Sequence, residues 1–196
     1  MFPEALTCNL PCMGLSKHID SDETISKRRE PVLLNVYDMY KINEYTTNIG
    51  LGIFHSGVEV YGAEFGYGGH PNSQTGIFDM QPRNEQVLGE YFNMKGQLRF
   101  RQTILIGHTN FTQEEVDMIK NRLGRKFRGN RYHLLNNNCN HFSAAFTKIL
   151  CRKRIPAWVN RLAHVSSFIP FLDKILPDEM LRPSVYHQHT SLNVKI

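Results

Sequence analysis

Apolar residues change their spacing partway along this chain, and that change limits the folds open to it. Between Pro31 and Ile106 they come in short, β-prone runs broken by glycine. Val32-Leu33-Leu34-Asn35-Val36-Tyr37 is a compact run of the kind that makes an interior strand. Residues 50–68 read as a glycine-punctuated hairpin: Ile53-Phe54-His55-Ser56, a turn region at Gly57, Val58-Glu59-Val60-Tyr61, then Glu64-Phe65-Gly66-Tyr67. Period two places His55 on one face with Gly57, Glu59 and Tyr61, and Val58 and Val60 on the other. Gly68-Gly69-His70-Pro71-Asn72 is a turn by composition, and further strands are predicted over 76–80 and 100–106.

Beyond Thr112 the spacing becomes helical. Thr112-Gln113-Glu114-Glu115 fits a capping box, and Val116, Ile119, Leu123 and Phe127 continue at steps of three and four. A second helix over roughly 138–151 carries Phe142, Ala145, Phe146, Ile149 and Leu150 on one face, and a third starts near Pro156 and stops at Pro170. Strands first and helices second predict an α+β fold, an antiparallel sheet covered on one side by helices. Residues 1–29 and 178–196 lack periodicity and read as tails around a domain of residues 30–177.

The chain has 196 residues, 41% of them hydrophobic, enough for one domain with a substantial core. No apolar run approaches the roughly 18 residues of a bilayer span, and the N-terminus lacks the basic-then-apolar order of a secretory signal. Four cysteines in such a chain read as free thiols of a reducing compartment, the cytoplasm or the nucleus. Cys8 and Cys12 have no partner cysteines or histidines to complete a zinc set, so no metal and no cofactor is expected. The net charge of +5 gathers at Arg125-Lys126-Phe127-Arg128 and Arg152-Lys153-Arg154, both at helix ends, where cations suit the dipole. These clusters lack interleaved aromatics on a sheet, which argues against nucleic acid.

The chemistry points to Asn138-Cys139-Asn140-His141-Phe142. Asn136, Asn137 and Asn138 supply side chains that cap the helix, so Cys139 falls in its first turn, where free N–H groups favour an anion. A thiol with an ordinary pKa of about 8.5 is expected to be lowered there. A thiolate needs a base, and the chain has nine histidines. His141 lies about 200° around the helix from Cys139 and cannot readily face it. His55, on a predicted strand beside glycine, is the leading candidate, with His70 and His133 left as alternatives.

Five blocks then carry a resemblance: Val36-Tyr37-Asp38; Phe54 through Gly62; Gly66-Tyr67-Gly68-Gly69; Asn137 through Ser143; and Ile155 through Leu162. In this order they resemble the PPPDE family, whose members are also called desumoylating isopeptidases, over about residues 31–177. The resemblance implies a papain-like cysteine peptidase in circularly permuted order, histidine before cysteine, with His55 and Cys139 as its dyad. It also implies removal of ubiquitin or SUMO from lysines of conjugated proteins. Asn137 and Asn138 are candidates for orienting the imidazole or holding an oxyanion. Gly57, Gly68 and Gly69 are candidates for a narrow passage admitting a Gly-Gly tail.

The same Asn-Cys-x-His-Phe core resembles lecithin–retinol acyltransferase-like enzymes, so a thioesterase or lipid-directed hydrolase using the same dyad is the alternative. A binding module with a vestigial dyad is a third reading. Neither the preferred modifier nor the oligomeric state, monomer or homodimer, can be read from the sequence.

Overall fold

The computed structural model describes residues 29–39, 52–92 and 94–166. Five antiparallel strands form one sheet in the order β4-β3-β2-β1-β5. They are β1 (Glu30–Met39), β2 (Phe54–Val60), β3 (Ala63–Tyr67), β4 (Ile77–Met80) and β5 (Leu98–Thr109). Helices α1 (Glu85–Tyr91), α2 (Gln113–Gly124), α3 (Cys139–Cys151) and α4 (Arg161–Ser166) complete the described fold. The predicted α+β class and antiparallel sheet are what the molecule has.

The central strand is the apolar run singled out above. Val32, Leu34 and Val36 of β1 are fully buried, packed in one cluster with Val58, Phe65 and Tyr67 of the neighbouring strands and Phe142, Phe146 and Leu150 of α3. Phe142 and Phe146, one helical turn apart, stack at 5.4 Å. Each such side chain contributes roughly 1.5–3 kcal/mol through burial. Helix α2 starts with the predicted capping box: Thr112 Oγ1 accepts from Glu115 N, and Glu115 Oε2 accepts from Thr112 N at 2.8 Å. Arg125 and Arg152 are the C-caps of α2 and α3, so both basic clusters begin at helix ends.

Three expectations need correction. Gly57 is not in a turn: β2 runs through it, and the chain reverses at Tyr61 and Gly62, both at positive φ (52° and 70°), between the paired residues Val60 and Ala63. A two-residue hairpin of this kind keeps the right-handed twist of its strands. The sheet is also covered on both faces. Tyr37, Met80 and Leu98 project away from α3 and pack with Leu88 and Phe92 of the α1 segment. Helix α1 is too short for a periodic signal and contains Gly89, but Asn84 Oδ1 caps it by accepting from Val87 N. The third predicted helix is a 3-10 turn (Ala157–Asn160) leading into α4. Pro170, Cys8, Cys12 and the tail readings lie outside the described residues, apart from residue 29.

Candidate active site

Asn138 ends the loop before α3 and turns it into the helix. Its Oδ1 accepts from His141 N at 2.9 Å, and its own N–H donates to His141 Nδ1 at 3.2 Å, a reciprocal cap. That exchange occupies His141 and leaves Cys139 as the first helical residue. Backbone N–H groups of Ser56, Asn140 and Cys139 itself lie where they favour the thiolate. The Tyr132 hydroxyl donates to Sγ at 3.9 Å.

The expected low pKa is not found. Cys139 is 2% exposed, and burial, the largest influence, pushes its thiol up despite those donors. His55 is equally enclosed, and burial pushes its imidazole down to about 3. The resting site holds a neutral thiol and a neutral imidazole. Burial opposes the charged form of both groups, so moving the proton from thiol to imidazole at rest is unfavourable and no ion pair is stored there.

Cys139 Sγ lies beside β2 where its pairing with β3 ends. The β2–β3 ladder runs from Val60↔Ala63 to Val58↔Phe65. Beyond that pair the Ser56 amide serves Cys139 Sγ instead. Ser56 Oγ faces α3, donating to Asn140 Oδ1 (2.7 Å) and lying 2.9 Å from Ser143 Oγ. His55, one residue earlier, therefore points to the opposite face. There its ring meets Tyr37 (6.0 Å) and, edge-on, Phe92 (4.8 Å). Its Nε2 is buried with no hydrogen-bond partner, and no hydrogen bond joins the imidazole to Sγ. The thiol thus lies against the peptide that links His55 to Ser56, with the imidazole on the other face of the strand.

His70 and His133 are committed elsewhere. His70 Nε2 lies 2.9 Å from Thr75 O, and its ring fills the space that a side chain at position 129 would need. His133 Nδ1 accepts from Leu135 N, while its backbone pairs with Asn137. Asn137 Nδ2 donates to Tyr67 Oη (3.0 Å) and Arg131 O (2.9 Å), and Asn138 Nδ2 donates to Leu134 O (2.7 Å) and Asn160 Oδ1 (3.0 Å). Both amides thus hold the loop before α3. At Gly57 and Gly68 the fold itself takes up the space a side chain would need. A Cβ at Gly57 would strike the buried Glu64 carboxylate, and one at Gly68 would strike Tyr91 and Phe92. Gly69 is buried. Glu64 is bound by Asn35 Nδ2 (2.7 Å), Tyr37 Oη (2.8 Å) and Arg83 N (3.0 Å), a network that does not include His55.

Two residues were missed from sequence. Asn140 Nδ2 donates to Phe54 O (2.9 Å) and Val159 O (3.1 Å) while its Oδ1 takes the Ser56 hydroxyl, so it clips β2 to α3 on both sides of His55. A poor helix former one residue after the cysteine was the available signal. Tyr132, seven residues before the cysteine, gave none. Among the described residues, no group of three or more His, Cys, Asp or Glu could hold a metal ion, and no helix is long and apolar enough to cross a membrane.

Residues 30–180 match the PPPDE putative peptidase domain. The chain belongs to the PPPDE family. Among PPPDE relatives, the desumoylating isopeptidase 1 homolog of Caenorhabditis elegans is 48% identical over 160 residues, 82% of this chain and 46% of that protein. The DeSI-like protein At4g17486 of Arabidopsis thaliana is 40% identical over 70% of this chain and 57% of its own length. Human desumoylating isopeptidase 1 is 28% identical over 75% of this chain and 83% of its own. The matched stretch thus spans about half the length of the first two PPPDE relatives.

Proposed function

We propose that this chain is a thiol isopeptidase that removes SUMO or ubiquitin from lysine side chains, with Cys139 as nucleophile and His55 as general base. The observation that carries the reading is Cys139 Sγ at the start of α3, ringed by three backbone N–H groups and a tyrosine hydroxyl, against the peptide bond of His55. Relatives named desumoylating isopeptidases support it.

His55 takes the thiol proton as Sγ attacks the carbonyl carbon of the modifier's last residue. A C–S bond forms and the carbonyl π pair moves to oxygen. Collapse expels the lysine amine, which takes the proton from the imidazolium; water, deprotonated by His55, then attacks the thioester, and the C–S bond breaks as the imidazolium returns the proton to Sγ. The resting protonation states make this a general-base reaction in which the thiolate appears only when substrate is present. Free thiols at Cys139 and Cys151 suit a reducing compartment, and we place the protein in the cytoplasm or nucleus.

The test is cleavage of coumarin amides of SUMO and of ubiquitin, with a palmitoyl thioester in parallel. Cys139→Ser is expected to abolish cleavage with the fold intact, and His55→Ala to lower kcat/KM by about a hundredfold or more. Full activity in the serine variant, or turnover of the palmitoyl thioester alone, would defeat the reading.

A further inference from the structure

Tyr132 is buried, its ring tilted against Tyr67 at 5.2 Å and its backbone N–H bonded to Gly129 O at 3.1 Å. Its hydroxyl donates to Cys139 Sγ, the one atom where bonds must form, and the nearby Cys139 backbone N–H favours negative charge on its oxygen. At 3.9 Å that contact is long even for sulfur, and a neutral thiol is a weak acceptor. A fully buried hydroxyl is thus left with a slack partner at rest, although burying it costs most when its bond is weakest.

We propose that Tyr132 is a catalytic residue, whose hydroxyl donates a hydrogen bond to the oxyanion formed when Cys139 attacks the substrate carbonyl. The proposal rests on the thiol isopeptidase reading. In the attack, the Sγ–C bond forms, the thiol proton passes to His55, and the C=O π pair becomes a lone pair on oxygen. That oxygen is attached to the carbon bonded to Sγ, so one developing on the Tyr132 side comes closer to the hydroxyl than sulfur itself. A donor about 2.7–3.1 Å from the new oxyanion has the geometry that stabilises it most. The hydroxyl keeps its proton throughout, because burial holds its pKa far above the ordinary 10. Collapse of the intermediate restores the C=O bond and returns Tyr132 to its slack contact. No other side chain is hydrogen-bonded to Sγ among the described residues, since Asn137 and Asn138 spend their amides on the loop.

The experiment uses the full chain, the SUMO coumarin amide for turnover, and iodoacetamide for direct alkylation of Cys139, a reaction that forms no oxyanion. Tyr132→Phe is expected to lower kcat by about a hundredfold to a thousandfold, with KM and the alkylation rate each within about threefold of the starting protein. Turnover within about threefold of the starting protein overturns the assignment. An alkylation loss as large as the loss in kcat also overturns it, because the hydroxyl would then serve only the thiol. Should Tyr132→Phe fail to fold, 3-fluorotyrosine at position 132 carries the test: a more acidic donor is expected to raise kcat without changing alkylation, and an unchanged or lower kcat overturns the proposal. Cys139→Ser separates the two levels. If it retains cleavage, the isopeptidase reading falls and takes Tyr132 with it; if it is dead while Tyr132→Phe is active, only the Tyr132 assignment falls.

Discussion

At the scale of single residues, His55 and Cys139 both rest neutral rather than as a stored thiolate–imidazolium pair. The donors around Sγ favour the anion, but enclosing both groups removes more solvation than three amides and a distant hydroxyl return. The consequence for pH is specific. The imidazole stays neutral above about pH 3 and the thiol stays protonated past its ordinary range, so kcat/KM is expected to be flat through the region where histidines usually titrate. Iodoacetamide is expected to label Cys139 slowly at pH 7 and faster as pH rises; an acid limb near 6.5 in kcat/KM would show a solvated imidazole instead. Stability follows with its own sign. The unfolded chain binds a proton at His55 near pH 6.5 while the native chain refuses it until about 3, so stability is lost as pH falls through that window. The slope is about 1.4 kcal/mol per pH unit for this one group. Urea unfolding at pH 7, 5 and 4 checks it, with His55→Leu expected to remove that component.

At the scale of elements, the site depends on how β2 is fastened to α3. Asn140 makes three hydrogen bonds: one to Phe54 O and one from the Ser56 hydroxyl bracket His55, and the third reaches Val159 O. Asn140→Ala leaves those groups buried without their partner, and is expected to cost about 1–3 kcal/mol in stability. Its larger effect is expected on kcat, since small displacements of a catalytic group can cost about a hundredfold; equal and minor effects on both would mean the strand holds itself in place. Gly57 tests the other side of the same strand. A methyl there collides with the Glu64 carboxylate and must disturb its bonds to Asn35, Tyr37 and Arg83 N, whereas Gly62 faces open space. Gly57→Ala is therefore expected to lower the melting temperature more than Gly62→Ala, whose cost is only the strain of a positive φ, about 1 kcal/mol. A rise in KM for the modifier substrate without loss of stability would place Gly57 in the substrate passage.

At the scale of the whole molecule, one sheet separates two apolar layers, with Cys139 on the side of one and His55 packed into the other. The larger layer holds α3 against β1 and β2 through Phe142 and Phe146, and the smaller one closes over His55 with Phe92. Phe146→Ala is expected to destabilise the fold by about 3–5 kcal/mol. Below its lowered melting temperature the variant should keep much of its turnover, because Phe146 lies two helical turns from Cys139; a calorimetric scan beside an activity curve checks both.

Much of this architecture was legible in the chain because it is local. The run Val32–Tyr37, the box Thr112–Glu115, and the step from three asparagines to an amphipathic helix report their elements through spacing and capping alone. Cys139 at the first turn of α3 belongs to the same class of inference. His55 as partner drew on the order of the motifs and on resemblance, and the commitments of His70 and His133 to other contacts agree with it. The turn at Tyr61-Gly62, the α1 segment and the second apolar layer were not legible, since each is settled by what packs against it. Asn140 and Tyr132 escaped for the same reason: their partners are strand and loop atoms distant in sequence, or a contact made only after the chain folds back. Sequence by itself determined most of the strands and longer helices, the antiparallel α+β class and the place of Cys139 at a helix start. Tertiary structure alone decided the charge states of the pair, because a pKa is set by the water that folding removes.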